Sequence, residues 1–369
     1  MKVALVYDRV NKFGGAERVL LALHELFPDA PLFTAVYNPD TALWAERFHI
    51  QPSFLNHFPL AKTHHQLYPW LTPMAFESFE LKKFDVVISI SSAEAKGVIT
   101  YPSTLHICYC LTPTRYLWSG YSVYKDKPGF GMLSNIVSKL FILTSPPLRI
   151  WDRIAGNTRP DKTVSISQTV AKRVNKYYKI ESPVIYPPID THRFIPKKKK
   201  TKDYFLVVSR LVPYKRIDLI IEAFNDLSWP LLIVGQGSEG QRLKAMAKST
   251  IRFVSDLTEE QLVSYYQGCR ALITMGIEDF GLAAIEAQSC GRPVIAYAAG
   301  GYVETIIPGK TGQFFYQQTK NALIDCLKNT NSEAFSPTHC RQNALRFSKS
   351  RFKKEFLDFV MNQRKTVNQ

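Results

Sequence analysis

The chain is predicted to be α/β, with two doubly wound parallel domains in succession. Three observations carry the prediction. Strand and helix signals alternate through the first half, the alternation breaks at a proline and lysine stretch and then restarts, and glycine turns stand between strand ends and helix starts. At 369 residues there is enough chain for two separate cores. A hydrophobic fraction of 46% places it among folded proteins and not disordered ones.

Val3–Tyr7 is a short unbroken apolar run of the kind buried on both faces of a parallel sheet, and Phe13-Gly14-Gly15 turns it into an amphipathic helix over Ala16–Phe27. Further strands are predicted at Pro31–Tyr37, Val86–Ser91, His106–Leu111 and Thr163–Ser167. Tyr186-Pro187-Pro188-Ile189-Asp190 then interrupts the pattern, and the lysine run Lys197–Lys200 follows as a solvated connector. The second half predicts strands at Phe205–Ser209, Leu231–Val234, Ile251–Val254, Ala271–Thr274 and Pro293–Ala298, with helices between them. Ser348–Asn362 is predicted as a terminal helix with Phe352, Phe356 and Phe359 on one face. The expected domains are 1–190, a linker 191–202, a second domain 203–345 and a terminal helix segment 346–369.

A net charge of +16 permits nucleic acid, an anionic membrane or an anionic small molecule as partner. No helix-turn-helix, zinc finger or RNP-type strand motif supports nucleic acid, which is not expected as a partner. The six cysteines are scattered; Cys108 and Cys110 have no second close pair to complete a zinc set, so buried free thiols are expected. The opening MKVALVYDRV is too short an apolar run for a signal peptide, and no stretch reaches the length of a spanning helix. A cytoplasmic protein is expected, with peripheral contact at the inner face of the cell membrane left open.

Met275–Gly312 is the richest stretch. It reads as strand end, glycine turn, helix, buried strand, second glycine turn and helix start, with Glu278 and Glu286 inside it. Glycine turns that open helices expose backbone N–H groups suited to phosphate and hydroxyl oxygens, and carboxylates accept from sugar hydroxyls. Upstream, Arg210 ends a strand and Lys215 opens the next helix, which directs two cations at the same strand ends. A guanidinium fork and a compact ammonium together suit a diphosphate. Two weaker motifs are set aside. Gly235-Gln-Gly237-Ser-Glu-Gly240 matches a dinucleotide fingerprint but lies inside the second domain, and Gly309-Lys310-Thr311 lacks the leading glycine of a phosphate loop, Glu304 standing in its place.

These residues resemble the retaining nucleotide-sugar glycosyltransferases of family 4. The resemblance runs over nearly the whole chain, through Gly14-Gly15-Ala16-Glu17-Arg18, Arg149-Ile-Trp151-Asp152, Val184 to Asp190, Ser209-Arg210 with Lys215, Glu278 with Glu286, and Gly300-Gly301. The segments Arg115 to Trp118 and Tyr186 to Asp190 are similar to the mannosyltransferase-like branch. The resemblance implies the GT-B fold, two Rossmann-like domains facing across a cleft, with the terminal helix returning to the first. It implies that Arg210 and Lys215 neutralise the departing diphosphate, that Glu278 with Asp279, Phe280, Gly281 and Leu282 holds the sugar and distal phosphate, and that Glu286 holds the ribose. Gly14 and Gly15 would let backbone approach the diphosphate, and Glu17, Leu111, Thr112, Arg115 and Tyr116 would lie on the acceptor and sugar side. The implied donor is GDP-mannose or a UDP-sugar, and the implied acceptor a glycan or lipid-linked glycan. The chain has no Asp-x-Asp pair, so no metal or other cofactor is expected.

One position departs from the family. Leu111 stands where relatives carry a histidine near the reaction centre, and His106, five residues earlier, reads as a core residue of its strand. The alternative is therefore a GT-B binding or scaffold subunit with weakened chemistry. The segment 115–130 is rich in aromatics (Tyr116, Trp118, Tyr121, Tyr124, Phe130), which suit sugar stacking or a membrane interface. The apolar stretch Leu133–Pro147 with Lys139 suits packing on the first domain or contact with an anionic leaflet.

Overall fold

A computed structural model describes residues 1–126, 134–197 and 202–367. Phe130, Leu133, Lys198–Lys200 and the side chain of Tyr124, all named above, lie outside what it describes. The chain divides into two compact units, one of Met1–Pro188 with Phe352–Gln369 and one of Ile189–Arg351.

The first unit is a six-stranded parallel sheet of β1 (Val3–Tyr7), β2 (Leu32–Thr34), β3 (Ile50–Pro52), β4 (Val86–Ser91), β5 (Leu105–Cys110) and β6 (Lys162–Ser165), in the order β3-β2-β1-β4-β5-β6. The register sets Leu5 beside Ile88 and Ile88 beside Ile107. Every residue of β1, β4 and β5 is buried, which is why these strands read as near-continuous apolar runs. Pro31–Tyr37 contributes only three residues to the ladder; Tyr37 instead makes an isolated bridge with Val10. β3 had no sequence signal, because it is a three-residue edge strand whose Pro52 lacks a ladder donor. The terminal helix, Lys349–Val367, belongs to this unit from Phe352 onward. Phe352 and Phe356 present edges to Tyr109 of β5 at 5.8 and 5.6 Å. The buried stripe continues to Val360, and Phe359 lies at its margin.

The second unit repeats the plan with β7 (Phe205–Val208), β8 (Leu231–Val234), β9 (Ile251–Val254), β10 (Leu272–Thr274), β11 (Val294–Tyr297) and β12 (Gly312–Phe315), in the order β12-β11-β10-β7-β8-β9. Apolar clusters cover both faces of the sheet. β12 also escaped the sequence reading. It is an edge strand opened by Gly312, where a Cβ would come within 2.0 Å of the Val294 carbonyl oxygen.

In each unit the chain starts at a central strand, runs outward on one side, then returns to build the other. The crevice where the order reverses lies between β1 and β4 in the first unit and between β7 and β10 in the second. Doubly wound sheets bind ligands there, at the carboxyl ends of the strands.

Candidate active site

At the switch point of the second unit, two loops bring opposite charges together. The loop after β7 passes through Arg210 into a short turn, Pro213–Lys215, and the loop after β10 carries Glu278. The Lys215 ammonium donates to Glu278 Oε1, across 63 residues of sequence, with both side chains mostly buried. The contact depends on glycine. A Cβ at Gly276 would lie 2.9 Å from Lys215 Cα, so only a bare residue lets the β10 loop seat against the lysine turn.

The loop after β11 locks Glu278 from the other side. Gly301 N–H donates to the Glu278 carbonyl at 2.8 Å, and Gly300, at φ +64°, has no room for a side chain against that same oxygen. Gly281 starts the helix Leu282–Ser289 at φ +91°, with the Tyr302 ring where a Cβ would point. Gly281, having no side chain, supplies no cap to that helix. Phe280 is buried, edge-on to Phe347 at 5.4 Å, and Asp279 and Leu282 flank the turn half-buried.

Arg210 is exposed and donates to the Tyr214 hydroxyl at 2.8 Å, while the Lys215 ammonium lies 5.0 Å from the Tyr214 ring centre. Tyr214 thus ties together the two cations, a role the sequence reading missed. Glu286 is 4% exposed and accepts from the Tyr266 hydroxyl at 2.7 Å. Tyr266 was missed as well; an i, i+3 or i+4 pattern could not reveal a partner on another helix.

The two motifs set aside have structural jobs. Gly235 and Gly237 press the β8 loop onto the β7 loop, where added Cβ atoms would meet the Ser209 and Leu211 carbonyl oxygens at 1.9 and 2.2 Å. They buttress the strand end that carries Arg210. Thr311 is buried, and its hydroxyl accepts from Ile307 N–H at 2.9 Å in the turn before β12.

In the first unit, Gly14 precedes the helix Gly15–Leu26 in extended backbone at φ −173°. Glu17 turns inward: it is 2% exposed, accepts from the Tyr7 hydroxyl at 2.6 Å, and burial raises its carboxyl above the usual range. Leu111 follows β5, half-buried, with its N–H on Ser91 O at 2.8 Å. Thr112 is buried, and its hydroxyl has no hydrogen-bond partner among the described residues. Arg115 is half-buried beside Tyr116, whose hydroxyl donates to Glu94. Glu94 also receives Arg9 Nη2 at 3.1 Å; burial raises its carboxyl, against the opposing pull of Arg9. Arg9 and Glu94 follow β1 and β4, so this cluster occupies the first unit's own switch point. Neither residue was singled out from sequence.

Deeper in that unit, Lys96 and Asp152 form an ion pair at 2.6 Å, exposed by 2% and 0%. Asp152 also accepts from Trp118 Nε1 at 2.6 Å and the Tyr178 hydroxyl at 3.0 Å. The Trp151-Asp152 motif therefore clamps the long helix Ser134–Thr158 to the loop after β4, with Gly97 directly against the Trp151 ring. His106 is a satisfied core residue. Its ring nitrogens meet Ser89 Oγ at 2.8 Å and the Arg159 carbonyl at 3.1 Å, and burial lowers its pKa to about 4. All six cysteines are free, five of them buried. Among the described residues no group of His, Cys, Asp and Glu is arranged to hold a metal ion, and no helix is long and apolar enough to cross a membrane.

Residues 188–346 match the family described as glycosyl transferases group 1. An uncharacterized glycosyltransferase of Methanocaldococcus jannaschii is 26% identical, over 59% of this chain and 66% of that protein. The GDP-mannose-dependent alpha-(1-6)-phosphatidylinositol monomannoside mannosyltransferase of Mycolicibacterium smegmatis is 31% identical over 34% and 41%. A probable sucrose-phosphate synthase of Thermosipho melanesiensis is 29% identical over 48% and 46%. The matched stretch thus spans about half the length of these relatives. Among solved structures, Anabaena HepE in complex with UDP and glucose superposes with a TM-score of 0.72 at 16% identity, covering 98% of this chain and 99% of that one. Sucrose-phosphate synthase from Thermosynechococcus elongatus gives 0.76 at 15%, over 98% and 99%. At such identities the likeness establishes the fold, GT-B, in agreement with the two doubly wound sheets.

Proposed function

We propose that the chain is a retaining, metal-independent hexosyltransferase, a reading supported by the match of residues 188–346 to the glycosyl transferases of group 1. It moves a hexose, mannose by preference, from a GDP- or UDP-sugar to a glycan or lipid-linked glycan met at an anionic membrane surface. The observation that carries this reading is the contact of Lys215 with Glu278 at the β7–β10 switch point.

Breaking a bond between a sugar and a diphosphate leaves negative charge on the leaving group and positive charge on the ring. The ammonium and carboxylate hold each other in place, so the pair is charged and preorganised but neutral overall. Donor binding redirects both: Lys215, with Arg210, meets the diphosphate, and Glu278 accepts from sugar hydroxyls. The uncapped start of the helix Leu282–Ser289 adds amide dipoles beside the phosphates. Glu286, which accepts from the Tyr266 hydroxyl, assists at the ribose. The acceptor attacks from the leaving-group face, which preserves configuration.

A thermal-shift panel of nucleotide sugars identifies the donor, because a matched donor stabilises the fold by mass action. Transfer or donor hydrolysis is then measured for Lys215→Ala and Glu278→Ala, each expected to lose roughly 10²–10³-fold in turnover. A chelator is expected to leave turnover unchanged. Full activity in both variants, or chelator inhibition reversed by manganese, defeats the corresponding part of the proposal. The scaffold alternative keeps one observation in its favour, the untitratable Leu111 at the end of β5; it predicts donor binding without turnover.

A further inference from the structure

The long helix Ser134–Thr158 is amphipathic twice over. One face carries Phe141, Ser145, Leu148, Asp152 and Ala155, spaced to pack inward, and the last four are buried or nearly so. The opposite face is apolar and uncovered. Leu140, Leu143, Pro147, Ile150 and Ile154 recur at steps of three and four residues, all exposed, with Leu143 at 74% and Ile150 at 64%. At 1.5 Å per residue the stripe is about 21 Å long and falls within a quarter-turn of arc. Isolated exposed apolar residues are ordinary, but five in one helical row are not.

The helix holds this row despite two internal prolines. Pro146 removes the N–H that Ile142 O would accept, and the Ser145 hydroxyl donates to that carbonyl at 3.3 Å instead. Beside the row stand exposed Lys139 and Arg153. The helix has one acidic residue, Asp152, which is buried against Lys96, so no exposed acid interrupts the cations.

We propose that this face docks onto the surface of an anionic lipid bilayer, with the apolar row in the acyl boundary and Lys139 and Arg153 at the headgroups. The signs select the occupant. A second copy laid symmetrically on the same face would bring cation against cation, whereas an anionic leaflet complements both them and the net charge of +16. The inference deepens the proposed function by naming the surface at which an acceptor is met, and rests on that reading only for the acceptor being lipid-linked.

The test is co-sedimentation of the full chain with vesicles of phosphatidylcholine alone and of phosphatidylcholine with phosphatidylglycerol, at low and high salt. Binding is expected to the mixed vesicles, to weaken with salt, and to fall at least tenfold in Leu143→Asp/Ile150→Asp. Lys139→Glu, which leaves the apolar row intact, is expected to weaken binding at low salt. Donor hydrolysis, read in parallel without lipid, is expected to be unchanged in these variants. Its loss in the unaltered chain would count against the transferase reading and not against docking. Equal partitioning onto both vesicle types, or wild-type binding by the double variant, overturns the inference. So does a dimer in sedimentation velocity that the double variant dissolves, since the face would then serve self-association.

Discussion

Replacing His106 with glutamine isolates a proton-linked contribution to stability that the fold builds in. The ring is buried in β5 between Ser89 Oγ and the Arg159 carbonyl, and its pKa falls from 6.5 to about 4 because burial disfavours the charged form. The unfolded chain therefore binds the proton more readily than the folded one. Stability from this residue is complete above the unfolded pKa and is lost as pH falls from about 6.5 towards 4. The full gap corresponds to about 3 kcal/mol, of which about 2 kcal/mol is already lost at about pH 5. Urea unfolding of the wild type and His106→Gln, followed at about pH 7.5 and about pH 5, reads the difference. The comparison cancels opposing groups such as Glu17 and Glu94, whose raised carboxyl pKa values favour the fold as pH falls. The variant is expected to be less stable at the higher pH and to lose less on acidification. An identical pH dependence in both proteins refutes the burial argument. Abolished transfer by a folded variant at neutral pH would show that the histidine serves chemistry and not the core.

Lys96→Met leaves Asp152 charged and buried, and is expected to destabilise the first unit by about 3–5 kcal/mol. The double change Lys96→Met/Asp152→Asn should recover part of that loss in the same unfolding assay, and no recovery would mean that the pair is not what Lys96 supports. Gly276→Ala puts a methyl group 2.9 Å from Lys215 Cα. It is expected to lower turnover while leaving the far-UV circular dichroism unchanged, and normal turnover would show that the Lys215 turn is free to shift.

Much of the fold was legible because its signals are local. Val86–Ser91 and Leu231–Val234 were read to the residue, as short apolar runs between turns are when both faces of a parallel sheet are covered. β3 and β12 were not, since Ile50–Pro52 ends on a proline and Gly312–Phe315 opens on a glycine, and neither makes an apolar run of its own. The terminal helix was foreseen with its phenylalanines, but the choice of Val360 over Phe359 as its last fully buried residue was made by packing on the first unit.

The candidate site divides in the same way. Gly281, Glu278, Glu286, Arg210 and Lys215 could be picked out by eye because glycine turns and charges at strand ends are written over a few consecutive residues. Their relation could not. Lys215 meets Glu278 across 63 residues, and Lys96 meets Asp152 across 56. Glu17, placed on the acceptor and sugar side by resemblance, and Glu94, not singled out at all, are both buried. The sequence by itself determined the two doubly wound units, their glycine-framed strand ends and the residue types gathered there, since each is specified by near neighbours along the chain. The tertiary structure alone decided which charges pair, which are buried, and which helix face stands exposed among the described residues. Desolvation and ion pairing depend on atoms brought together by strand order, and no local pattern encodes that order.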